Sequence, residues 1–157
     1  MKLIKSLFRV LDKILSVLTI AFFTALILIV LLQILTRFTP LSFVWTEELT
    51  RYFFLYAIAA SAGLAVVRNE YMGIDFILEL FSDKWKAIYL RGTYIVIIGM
   101  NLVISYYAYE FVLLGQGQMT STLGFHMGYI HLSIFLMSFF IMIFYIEKLL
   151  SKDVDLK

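Results

Sequence analysis

Between Lys13 and Arg37 the chain runs for 23 residues without a charge, from Ile14 to Thr36. A helix needs about 20 apolar residues to cross a hydrocarbon core. In lipid every backbone N–H and C=O must be bonded within the protein, so such a run is read as a helix rather than an open strand. It is too long for the core of a secretory signal, and no small-x-small cleavage site follows it, so it is expected to stay in the mature protein. Three further runs resemble it. Tyr52 to Val67 is uncharged, as is Gly92 to Tyr109, and a fourth run reaches from Met127 to Ile146. The predicted fold is an all-α integral membrane protein with one membrane domain over residues 1–157. Its transmembrane helices are expected near residues 14–36, 47–67, 92–110 and 127–146. Composition agrees, with 62% hydrophobic and 15% charged residues against about 45–50% and 25% in a soluble domain.

Pro40 ends the first span, and the next one opens on Trp45-Thr46-Glu47-Glu48-Leu49-Thr50-Arg51. Thr46 is placed to cap this helix, with Glu47 and Glu48 complementing the positive end of its dipole. Charges beside an intramembrane helix are costly unless something pairs with them. Glu48 and Arg51 stand at the i,i+3 spacing of a helical ion pair, and Arg37 is a candidate third member. Arg37, Trp45, Glu47, Glu48 and Arg51 are therefore the candidate interface residues.

The distribution of lysine and arginine sets the expected orientation. The N-terminal tail, the segment between spans two and three and the C-terminal tail together hold 11 of the 13 basic residues. Only Arg37 and Arg51 lie on the other side. Both termini are thus expected in the cytoplasm. Between spans two and three, residues 74, 77, 78, 81, 85, 88 and 89 are apolar and repeat at the helical period. This predicts an amphipathic surface helix near residues 74–89. Asp75 lies at its start and Phe81 and Trp85 on its apolar face, resting in the cytoplasmic headgroup layer or bracing a partner.

The chain holds little chemistry of its own. A self-contained ion-coupled transporter places ionisable groups or broken helices near the membrane midplane, and the centres of all four runs are uncharged. Asn101 is the most central strongly polar residue and reads as a helix–helix hydrogen-bond donor. His126 and His131 stand about 140° apart on a helix, so they do not share a face as haem or metal ligands would. They read as loop and span-start residues, and Glu110 as a carboxylate at the boundary of span three. No cysteine, nucleophile–base pair or phosphate-binding loop is present, which leaves no catalytic site, metal site or cofactor to assign. No basic cluster marks a nucleic-acid surface. In span two, Ala59 and Gly63 form a small-xxx-small pair that permits close helix approach, within the bundle by default.

Taken in order, these elements resemble one known family over almost the whole chain. Leu35-Thr36-Arg37-Phe38 closes span one, and Trp45-Thr46-Glu47-Glu48 with Arg51 opens span two. Arg68-Asn69-Glu70-Tyr71-Met72-Gly73-Ile74-Asp75-Phe76 leads into the surface helix, and Leu123-Gly124 precedes span four. The pattern is similar to the small membrane subunit of the tripartite ATP-independent periplasmic (TRAP) transporters, the DctQ family. His126 and Phe135 stand where the family often has prolines. The resemblance implies a non-catalytic subunit that pairs with a large, DctM-like membrane subunit in the inner membrane. It also implies a periplasmic, DctP-like substrate-binding protein and sodium-driven uptake of a carboxylate such as a sialic acid or a C4-dicarboxylate. Substrate and sodium sites would then lie in the other chain. The alternative is a stand-alone four-helix protein, either a small exporter or a structural membrane protein. The lack of a carboxylate inside a span weighs against the exporter.

Overall fold

The computed structural model describes residues 2–38, 43–68 and 83–150. Four helices occupy them: α1 (Lys2–Thr36), α2 (Trp45–Val67), α3 (Asp83–Gly115) and α4 (Gly128–Leu150). Each is long and apolar enough to cross a membrane. The expected surface helix falls largely outside the described residues, Asp75 and Phe81 included. Its last turns belong to α3, which runs unbroken from Asp83 through Arg91 and Gly92 into the apolar stretch. A lone glycine costs a helix about 1 kcal/mol, too little to break it without a proline. The residues before Ile14 join span one in the same helix, since neither proline nor glycine interrupts α1, whose 35 residues give a rod about 50 Å long.

The helices pack as a row, with α1 beside α2, α2 beside α4 and α4 beside α3. Adjacent in sequence is therefore not always adjacent in space, since α4 sits between α2 and α3. The row gathers at the end that carries Arg9, Lys13, Arg68 and Lys148, here called the basic end. There Leu15, Ala60, Leu64, Val66, Phe144 and Tyr145 form a buried cluster. Phe8 meets Phe144 with ring centroids 5.7 Å apart, and Tyr94 meets Tyr145 at 5.3 Å. Toward the other end, Phe22 of α1 lies 6.0 Å from Phe53 and 5.7 Å from Tyr56 of α2.

The small residues of α2 make this approach possible. Ala57, Ala59, Ala60 and Gly63 are all buried. A Cβ added at Gly63 would stand 3.0 Å from the Phe140 Cβ and 3.1 Å from the Phe144 ring. The Ala59/Gly63 pair therefore serves internal packing. Between α3 and α4 the contact is polar as well as apolar. The Ser105 and Ser138 hydroxyls meet at 2.9 Å. Asn101 behaves differently from expectation: its side-chain amide donates to the Ile97 carbonyl of its own helix at 2.9 Å.

Candidate docking face: a carboxylate clasp between two connections

The candidate residues lie at the end of the row opposite the basic one. Helix α2 starts at Trp45, two residues earlier than a Thr46 cap requires. Val44 precedes it in helical conformation (φ −60°, ψ −30°), with no side-chain cap bond. Thr46 is instead 3% exposed, and its hydroxyl donates to the Phe43 carbonyl at 2.6 Å. Thr46 thus lies inside the first turn instead of capping it, and the two glutamates complement the helix start by charge alone.

The two glutamates have separate partners. Arg51 reaches Glu47 at i,i+4, with 3.4 Å between Nη2 and Oε1, in place of the expected Glu48. Both side chains are largely exposed, at 66% and 79%. Glu48 turns the other way, toward the connection between α3 and α4. Its carboxylate accepts the backbone N–H groups of Ser121 (3.2 Å), Thr122 (3.0 Å) and Leu123 (3.1 Å). The Thr122 and Tyr52 hydroxyls also donate to it. Successive amides converging on one anion form a nest, and hydrogen bonds to an ionised acceptor are stronger than neutral ones. That outweighs one exposed ion pair with Arg51 and explains the change of partner.

The clasped connection is itself ordered by its sequence. Met119 and His126 form an isolated antiparallel bridge, and the Thr120 amide donates to the Phe125 carbonyl at 2.8 Å. The Thr120 hydroxyl accepts from the Phe125 amide at 3.0 Å. Gly124 sits at φ +68°, the left-handed region that closes the turn without a Cβ penalty. Below it the helix ends nearly touch, since a Cβ at Gly115 would lie 2.5 Å from the Gly128 nitrogen. His131 stacks on Phe111 at 3.6 Å, and its Nδ1 lies 3.0 Å from the Phe111 carbonyl oxygen. A carbonyl only accepts, so Nδ1 carries the proton. The two histidines thus take loop and span-start positions, and Tyr56 adds a bond from α2 to the Tyr129 carbonyl of α4.

Two sequence elements far apart in the chain, Trp45-Thr46-Glu47-Glu48 and the turn at Leu123-Gly124, therefore meet in one place. Glu48 faces inward and holds them together. Trp45, Glu47 and Arg51 face outward beside the exposed Phe43 and Val44. Arg37 is exposed at the end of α1 and makes no ion pair with either glutamate among the described residues. Trp85, the described member of the surface-helix group, lies at the far, basic end and is 62% exposed. Sequence reasoning missed Thr122, Ser121 and Tyr52. The available signal was the residue one turn after Glu48, which is a tyrosine rather than a cation.

Comparison with curated proteins returns no match. The family model for the DctQ component of tripartite ATP-independent periplasmic transporters matches residues 26–154, from the middle of α1 to beyond α4, and so includes both halves of the clasp. The chain belongs to the DctQ family, as a membrane component of a tripartite transporter.

Proposed function

We propose that this chain is the non-catalytic scaffold subunit of a sodium-driven TRAP transporter in a bacterial inner membrane. It pairs with a large, DctM-like subunit that carries the substrate and sodium sites. It also helps receive a periplasmic, DctP-like binding protein, for uptake of a carboxylate such as a sialic acid or a C4-dicarboxylate. The observation that carries this reading is the family match over residues 26–154. The polar groups at mid-depth support it, since Asn101 Nδ2 is engaged within α3 and the Ser105 and Ser138 hydroxyls meet between α3 and α4.

In this reading the basic end is cytoplasmic, both termini lie there, and the clasp end is periplasmic. Glu48 braces the first turn of α2 against the α3–α4 connection. Trp45, Glu47, Arg51 and Arg37 form the outward surface available to the binding protein. Trp85, on the first turn of α3 at the basic end, rests on lipid or on the large subunit.

Reconstitution tests the division of labour. Proteoliposomes holding this chain alone, under an inward sodium gradient, should take up no labelled sialic acid or C4-dicarboxylate. Uptake should appear when the large subunit and the binding protein are added. Gradient-driven uptake by the purified chain alone would establish the stand-alone class instead.

A further inference from the structure

Helices α1 and α2 keep one register along their contact. The Leu15 side chain would lie 3.4 Å from a Cβ added at Gly63. Seven residues on along α1, Phe22 meets Tyr56, seven residues back along α2, at 5.7 Å. At the basic end the two uncharged runs begin together, where the Arg68 guanidinium of α2 donates to the Ser16 hydroxyl of α1 at 3.0 Å. Their lengths differ. The run on α1 spans 23 residues, Ile14 to Thr36, and that on α2 spans 16, Tyr52 to Val67. Repeating the seven-residue step once more sets Ile29 level with Leu49, and so with the Glu48 clasp. From there α1 stays uncharged for seven further residues, about 10 Å of helix.

At and above that level the two sides of the row have opposite chemistry. On α1, Ile27, Leu28, Leu31, Ile34 and Leu35 are each at least half exposed. Across the row, Glu47 and Arg51 are exposed, and the backbone of the α3–α4 turn converges on Glu48. Glu110, bonded by the Tyr106 side chain, is exposed on α3. Its neighbour Phe111 meets His131, so Glu110 too lies below the turn.

A flat hydrocarbon edge fits neither side. Drawn at Thr36, it would immerse Glu47, Arg51, Glu110 and the polar backbone of the turn, groups that lipid cannot bond. Drawn at Glu48, it would leave two turns of leucine and isoleucine in water. The α2 run gives only about 24 Å of helix against a hydrocarbon core of about 30 Å. A span that is too short thins the bilayer around it, and a long one holds or thickens it.

We propose that the chain indents the leaflet at its clasp end. Acyl chains rise along α1 to Arg37, while headgroups and water descend to Glu48 and Glu110 on the other side, a step of about 10 Å across one small protein. The surface recognised is the lipid itself, in either orientation and without a partner subunit. A protein docking on the clasp face would have to reach below the headgroups that surround α1.

The test uses the full chain in phospholipid vesicles, with a nitroxide on single cysteines replacing Leu28 or Leu31 of α1, Glu47 of α2 or Leu114 of α3. Collision with oxygen, which partitions into lipid, is compared with collision with a water-soluble nickel chelate. The oxygen-to-nickel ratio at Leu28 and Leu31 should exceed that at Glu47 and Leu114 about tenfold, although all four lie near one level of the fold. Nickel-dominated collisions at Leu28 and Leu31 would mean that α1 projects into water. Oxygen-dominated collisions at Glu47 and Leu114 would mean that the clasp is immersed. Either result overturns the indentation. Unlabelled variants give a second readout: L31K should lower the amount of chain inserted in the membrane, and L114K should not, and equal insertion of the two would also overturn it. A photo-crosslinking residue at Leu31 in native membranes should capture phospholipid, whereas capture of a protein subunit would assign the α1 wall to a partner and end the proposal.

Discussion

Glu47 and Glu48 are neighbours of identical chemistry with opposite surroundings, and substitution should separate them. Glu47 takes part in one exposed ion pair at 3.4 Å, and such pairs contribute below about 1 kcal/mol. E47A should therefore leave the apparent Tm of the purified chain unchanged. E48Q removes the charge that three amides and two hydroxyls converge on. It should lower Tm and speed protease nicking within residues 116–127 about fivefold or more, since local opening governs such cleavage. Equal Tm and nicking in the two variants would show that the clasp does not hold the connection. The sequence marks this cluster by its cost beside a membrane-crossing run. It does not reveal which glutamate faces inward, because the deciding donors stand more than seventy residues further along the chain.

At the scale of helices, packing and propensity compete, and the glycines separate them. Gly63→Ala puts a methyl group 3.0 Å from the Phe140 Cβ, an atom that side-chain rotation cannot move. It should destabilise the chain by about 1–3 kcal/mol, as overpacking does. Gly92→Ala meets open space and should be neutral or stabilise the isolated chain by up to about 1 kcal/mol through helix propensity. Unfolding in mixed detergent compares the two, and the opposite ranking would refute the packing of α2 on α4. The Ser105–Ser138 contact, 2.9 Å between α3 and α4, should give a double-mutant coupling near 0.6 kcal/mol, typical of hydrogen bonds between membrane helices. The four helices are legible in the sequence because hydrophobic length and charge placement are local signals. Their ends are less so. Nothing in composition separates a surface helix from the start of a membrane-crossing one when no proline stands between them, and α3 merges the two at Gly92.

At the scale of the whole molecule, the row order α1–α2–α4–α3 was not legible. It depends on the close approach of α2 and α4 at Gly63 and on the Glu48 clasp, neither of which is a local signal. The row has consequences for function. It buries a small cluster at the basic end and leaves wide apolar faces on α1 and α3. The chain also lacks cysteine, so single cysteines can report its orientation. A cysteine replacing Thr122 should react with a membrane-impermeant maleimide added outside spheroplasts, and one replacing Ser151 only after permeabilisation. The reverse pattern would invert the assigned orientation.

The most direct measurement is the composition of what remains bound to a tagged copy taken from its native membrane in mild detergent, by mass spectrometry and native mass. A scaffold subunit predicts one large, many-span membrane protein retained at equal stoichiometry. A chain that purifies alone, or only as a dimer of itself, would contradict the account.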